Sequence, residues 1–176
     1  HNRINTAKAI ELALNQGVDP TTGLTVGCQT KPAEEMASFS DFEQAFYQQL
    51  DALVDKAITI STFYDDHITQ INPAPMDSAT LQYSLDSAED AFAYGVSTVC
   101  CSCSATAADS LAMIRKYVYT EKEVSLAKLR DILRQNWAGY EKLRLKVGKD
   151  PEKYGNNVDS VDQFMVDIVN HLDAYL

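Results

Sequence analysis

Four cysteines and a short acidic run with a histidine are the residues of this chain best suited to chemistry. Cys100, Cys101 and Cys103 form a C-C-x-C cluster, and Cys28 stands alone. Four thiolates suffice to hold Zn²⁺ or an iron–sulfur cluster. The usual C-x₂-C spacing is missing, and adjacent cysteines rarely chelate one ion together. Disulfides need an oxidising compartment, and the first residues, His1-Asn2-Arg3, carry no apolar signal core. The simplest expectation is small, buried, reduced thiols ahead of a helix. Cys103 is the candidate for a reactive thiol, because a helix N-terminus favours a thiolate. Tyr64-Asp65-Asp66-His67 offers metal-ligand types. Consecutive helical residues point about 100° apart, so these side chains do not converge, and a solvated helix face is expected.

Much chemistry is excluded by what the 176 residues lack. With seven glycines there is no G-x-G-x-x-G, no P-loop around Gly148-Lys149 and no G-x-S-x-G elbow. Three histidines, His1, His67 and His171, leave little for a multi-His metal site. The net charge is −10, which disfavours nucleic acid as a partner. Residues 57–114 contain seven Asp/Glu and no Lys or Arg, whereas 115–153 hold eleven Lys/Arg against six Asp/Glu. The basic stretch reads as a solvated face, since aromatic interleaving is sparse. No apolar run approaches the ~20 residues of a membrane-spanning helix.

The elements that must position these residues are mostly helical. Residues 4–17 put Ile4, Ala7, Ile10 and Leu14 on one face, with Gly17 as the expected C′ residue. Residues 24–28 fit a short strand or extended loop. Ser40-Asp41-Phe42-Glu43 matches a capping box. Behind it Phe42, Phe46, Leu50, Leu53, Ala57 and Ile60 predict a helix of about thirty residues, ended near Ile71 by Asn72-Pro73. The acidic segment 77–93 is mildly helical, and the pattern breaks at 94–99. A helix over 106–119 is expected with Thr106 and Asp109 as its box. Another starts behind Ser125 and carries Leu126, Leu129, Leu133, Trp137, Tyr140 and Leu143, with Gly139 inside it. Residues 146–157 read as a loop. The last helix is expected from Ser160, boxed by Gln163, with Val161, Phe164, Ile168, Leu172 and Tyr175 on one face.

Several of these segments resemble one family. Residues 4–17, INTAKAIELALNQG, are similar to the helix that follows the active-site cysteine loop of glycyl radical enzymes, the pyruvate formate-lyase family. Residues 108–125, ADSLAMIRKYVYTEKEVS, resemble that family's A-D-S-L-A-A-I-K-K-L-V helix. NWAGYEKLR at 136–144 and KYGNNVDSVD at 153–162 look like its N-F-x-G-Y-E and K-Y-G-N-D-x-x-x-V-D blocks. The order agrees, and the likeness is closer to the dehydratase and lyase branch. It implies a ten-stranded α/β barrel in a much longer parent. A glycyl radical on a C-terminal loop would make a thiyl radical on a central cysteine, after a radical S-adenosylmethionine activase installs it. This chain would be the mainly α stretch between those loops, one region over 1–176. No catalytic, cofactor-binding or metal-binding residue is then expected in it.

The implied parent is a cytoplasmic, anaerobic lyase or dehydratase acting on a small polar metabolite, with no nucleic-acid or membrane partner. The chain alone would be inert. The alternatives are a stand-alone helical interaction module and a thiol-metal binding protein. Ala138-Gly139-Tyr140 resembles the radical motif, but Gly139 also aligns with the glycine of N-F-x-G-Y-E. Cys100-Cys101 resembles the family's catalytic pair, but at the position where the family has a glycine-rich loop. Phe42, Phe46, Leu50, Leu111, Ile114 and Trp137 are not all expected to find partners, so self-association or repacking is anticipated.

Overall fold

The computed structural model describes residues 2–94 and 98–176. The elements run β1 (Asn2–Asn5), α1 (Thr6–Leu14), α2 (Phe39–Ile71), α3 (Pro75–Ser78), α4 (Gln82–Ser87), a 3₁₀ turn (Ala91–Tyr94) and β2 (Val99–Ser102). They continue with α5 (Ser104–Ile114), a π-helical turn (Arg115–Thr120), α6 (Leu126–Arg134), α7 (Glu141–Gly148) and α8 (Asp159–Tyr175). β1 and β2 pair as a two-stranded sheet. The chain divides into two compact units, one of residues 1–4 with 54–100 and one of 5–53 with 101–176. The division falls inside α2 and inside both strands. Among the described residues no helix is long and apolar enough to cross a membrane.

The unit of 5–53 and 101–176 holds the main core. α5 packs on both α8 and α1, and α6 meets α1. Ala107, Ala108 and Ala112 keep α5 slim, so its neighbours approach closely. α8 buries Val161, Phe164, Ile168 and Leu172 at 3–4-residue spacing, while Tyr175 is exposed. Phe39 meets Tyr119 and Phe164 edge to face at 5.9 and 5.7 Å. Phe42, Phe46, Leu50, Leu111 and Ile114 are all buried, and Trp137 is half-buried. Of these six, not all of which are expected to find partners unless the chain repacks, five do, and Trp137 stays partly open.

The unit of 54–100 is built from the second half of α2, α3, α4 and the 3₁₀ turn. Asp90 accepts the Ala74 N–H at 2.8 Å, and Ser78 Oγ accepts the Ala91 N–H at 2.9 Å, which fold the segment back on itself. Lys56 is the only Lys or Arg in this stretch. Ile60, Phe63, Ile71, Met76 and Leu85 are exposed.

Several boundaries differ from the periodic reading. α1 starts at Thr6, because Asn5 caps it by accepting the Ala7 N–H. α2 is capped by Ser38 and Asp41, not by Ser40 and Glu43. Ser38 Oγ accepts the Asp41 N–H at 3.2 Å, and Asp41 Oδ2 accepts the Ser38 N–H at 3.0 Å. Along α2 the buried set after Leu50 is Val54, Ala57, Ser61 and Ile68, whereas Ile60 faces solvent. The acidic segment 77–93 is broken into α3, α4 and the 3₁₀ turn. α8 begins one residue early behind Val158, and Gln163 donates to Asp167 rather than closing a box. Residues 24–28 form no strand; Thr25 makes an isolated bridge to Val18. The expected break at 94–99 includes Gly95, Val96 and Ser97, which lie outside the described residues.

The largest correction concerns Gly139. The predicted single helix is two, α6 and α7, and Gly139 lies in the turn between them with φ +79°. α6 ends in a Schellman closure: the Trp137 N–H reaches the Ile132 carbonyl at 3.0 Å and the Asn136 N–H reaches Leu133 at 2.9 Å. Asn136 takes the left-handed position at φ +49°. A side chain at Gly139 would meet nothing within 4 Å, so backbone conformation, not close helix packing, is what a glycine satisfies there.

Candidate functional site

The cysteine cluster is more open than its composition suggested. Cys100 and Cys101 lie in β2, where successive side chains alternate in direction. Cys100 and Cys103 are exposed, and Cys28 and Cys101 are half-buried, so the expectation of buried thiols is corrected. Cys103 is the N-cap residue of α5, with φ +63° and no side-chain capping bond. The box expected from Thr106 and Asp109 does not form. α5 starts two residues before Thr106, and Asp109 instead accepts the Tyr154 N–H at 2.7 Å.

Cys28 is held elsewhere, by α2. Gln49, fully buried, accepts the Cys28 N–H at 3.0 Å through Oε1 and donates Nε2 to the Cys28 carbonyl at 2.7 Å. The amide thus satisfies the backbone of an extended loop as a neighbouring strand would. Gly17 and Gly27 make the approach possible: a Cβ on Gly17 would stand 2.3 Å from the Cys28 carbonyl oxygen, and one on Gly27 would meet Gln49. Among the described residues no three His, Cys, Asp or Glu side chains are placed to hold a metal ion. Tyr64, Asp65 and Asp66 lie exposed on α2 and His67 is half-buried; His67 stacks on Phe63 and bonds its carbonyl at 2.8 Å.

Part of the basic stretch is engaged within the fold. Arg130 pairs with Glu34 at 2.8 Å, Lys146 with Glu121 at 3.3 Å, and the Arg115 guanidinium lies 4.6 Å from the centre of the Phe164 ring. Its most buried member set was not legible in the sequence. Tyr117, in the π-helical turn, donates to buried Asp150 at 2.6 Å, and Lys116 pairs with the same carboxylate at 2.9 Å. Burial alone would raise the Asp150 pKa. The Tyr117 hydroxyl, the Glu152 N–H and Lys116 outweigh it and hold the carboxyl at about 2. Burial first, and donation to Asp150 second, push the Tyr117 hydroxyl up to about 12.

Beside this network a cavity of about 310 Å³ opens between α1, α5, α6 and α7. Its walls are apolar, with Met113, Leu129, Trp137 and Leu143 among them, and Asp109, Ser110 and Lys153 also line it. No motif flagged it. Its lining comes from five separate segments, and only the periodicity of α5 hinted at a shared face.

The helical order and the separate sequence blocks point to one family, and the comparisons agree on it. Residues 1–175 match the family described as pyruvate formate lyase-like. The chain belongs to that family. It is 27% identical to the trans-4-hydroxy-L-proline dehydratase of Clostridioides difficile, over 95% of this chain and 22% of that protein. It is 30% identical to the (2S)-3-sulfopropanediol dehydratase of Klebsiella oxytoca, over 90% of this chain and 20% of that protein. Among solved structures, a glycyl radical enzyme from Archaeoglobus fulgidus superposes with a TM-score of 0.81 at 25% identity, over 98% of this chain and 22% of that one. The B12-independent glycerol dehydratase of Clostridium butyricum gives 0.81 at 22% identity, also over 98% of this chain and 22% of that one, a likeness of fold. The chain thus matches a fragment of glycyl radical dehydratases and lyases, spanning about a fifth of the length of these relatives.

Proposed function

We propose that these residues are one region, 1–176, of a glycyl radical dehydratase or lyase acting on a small polar metabolite. In this reading they lie within a ten-stranded α/β barrel, between the loop bearing the thiyl-forming cysteine and the loop bearing the radical glycine. The carrying observation is the family match along 1–175, supported by the equally complete superposition on a glycyl radical enzyme. The parent is cytoplasmic and depends on a radical S-adenosylmethionine activase. The 176-residue chain binds no cofactor and is inert by itself.

Gly139 is the residue that tests this. Its turn is exposed and left-handed, so geometry alone does not protect it from an activase. Its assignment as a structural glycine, not the radical one, rests on its place in NWAGYE. Anaerobic incubation of the chain with an activase and S-adenosylmethionine should give no glycyl EPR doublet. A doublet that disappears in Gly139→Ala would overturn the reading.

A further inference from the structure

The cavity between α1, α5, α6 and α7 has room for a ligand of definite size. An engineered apolar cavity of about 150 Å³ stays dry and binds benzene. At about 310 Å³, this one accommodates two fused rings. Its apolar walls offer water few partners. The polar side chains lining it include Thr106, Asp109 and Ser110 on α5, Tyr117 in the π-helical turn and Lys153 on the α7–α8 loop. Three of these already have partners: Ser110 donates to the Thr106 carbonyl at 2.7 Å, Asp109 accepts the Tyr154 N–H, and Tyr117 donates to Asp150. The half-buried Lys153 side chain has no ion pair among the described residues. A half-buried ammonium without an ion pair, beside an apolar chamber, favours an anionic head on an apolar body.

We propose that this cavity binds a compact apolar carboxylate, such as a one- or two-ring aromatic acid, with its carboxylate at Lys153 and its body against Met113, Leu129 and Trp137. Trp137 reaches the wall through a backbone at φ +66°. A bulky residue holds that conformation only where its surroundings enforce it, and such strain concentrates at ligand sites. The site is separate from the radical chemistry proposed above and stands or falls without it.

Trp137 is the only tryptophan in the chain, so its emission reports on the cavity directly. Titration of 2-naphthoate into the intact 176-residue chain should change that emission saturably. 2-Naphthylmethylamine, the same rings with the opposite charge, should bind at least about tenfold more weakly, the scale of one charge-assisted hydrogen bond. Lys153→Gln, at a partly exposed position, should fold normally by circular dichroism and erase that preference. Met113→Phe, which narrows the chamber, should abolish the response to both probes. Calorimetry on the same samples provides a second measure of binding. The proposal is overturned if naphthoate gives no saturable response, or if the amine binds as tightly. Unchanged naphthoate affinity in Lys153→Gln, or in a folded Met113→Phe, also overturns it.

Discussion

Gly17 and Gly139 share a left-handed backbone, at φ +82° and +79°, but not their surroundings. At Gly139 a methyl group meets open space, so Gly139→Ala should cost only the left-handed penalty, about 1–2 kcal/mol. At Gly17 the same change adds a collision with the Cys28 carbonyl oxygen, and the loss should exceed that of Gly139→Ala by about 1 kcal/mol or more. Urea denaturation of both variants makes the comparison. Asp150 sets an acid limit. Its folded pKa of about 2 lies below the unfolded value near 3.9, so its contribution is complete above about pH 4 and is lost as pH falls toward 2. Asp150→Asn should lower stability at neutral pH by about 1–3 kcal/mol, since it strips the Lys116 ammonium of a buried partner. It should also flatten the pH dependence of the urea midpoint between pH 4 and 2. Individual residue types hinted at none of this. Asp150 sits in a loop sequence with the look of solvent, and only the return of the chain to the π-helical turn buries it.

The helices test how far a linear pattern carries. Ser38→Ala should cost about 1 kcal/mol, whereas Ser40→Ala should cost less than half as much. Thermal unfolding followed at 222 nm separates them. Two Ser-x-x-acid patterns overlap here, offset by two residues, and only the observed hydrogen bonds choose between them. Existence and approximate length of α2 and α8 were readable, because an apolar stripe at 3–4-residue spacing persists along each. The stripe misled in two places. Ile60 looked like its continuation, but the helical period carries the buried row through Ser61. Leu133, Trp137, Tyr140 and Leu143 keep helical spacing across a turn that ends α6. Periodicity is blind to that turn, although Asn136, a residue tolerant of the left-handed region, is a usable signal. For the candidate site, the cysteines were visible as types, but their exposure was not. The cavity was invisible, because its walls are brought together only by packing.

At the scale of the whole molecule, charge and apolar exposure oppose each other. Residues 57–114 carry no cation, and within 54–100 Ile60, Phe63, Ile71, Met76 and Leu85 face solvent. Apolar patches of this kind promote association, while repulsion among like charges resists it. The self-association we propose should therefore be favoured by salt, which screens the repulsion over roughly 3 Å at 1 M. Sedimentation velocity should show larger species at 1 M than at 0.05 M sodium chloride. Phe63→Lys should suppress them. A strict monomer in both salts removes the proposal.

The near absence of cations from the 54–100 unit has an analytical consequence. Trypsin cuts after Lys and Arg but not at Lys31-Pro32, so complete digestion of the denatured chain yields the neighbouring peptides 9–56 and 57–115. Cys28 falls on the first, and Cys100, Cys101 and Cys103 on the second. All four cysteines are unbridged in the structure. A disulfide joining Cys28 to any of the others would therefore appear in a mass spectrum as one species combining those two peptides. One bond confined to the cluster would leave 57–115 lighter by two hydrogen atoms and 9–56 unchanged. A single digest thus maps the oxidation chemistry of the chain without any mutation.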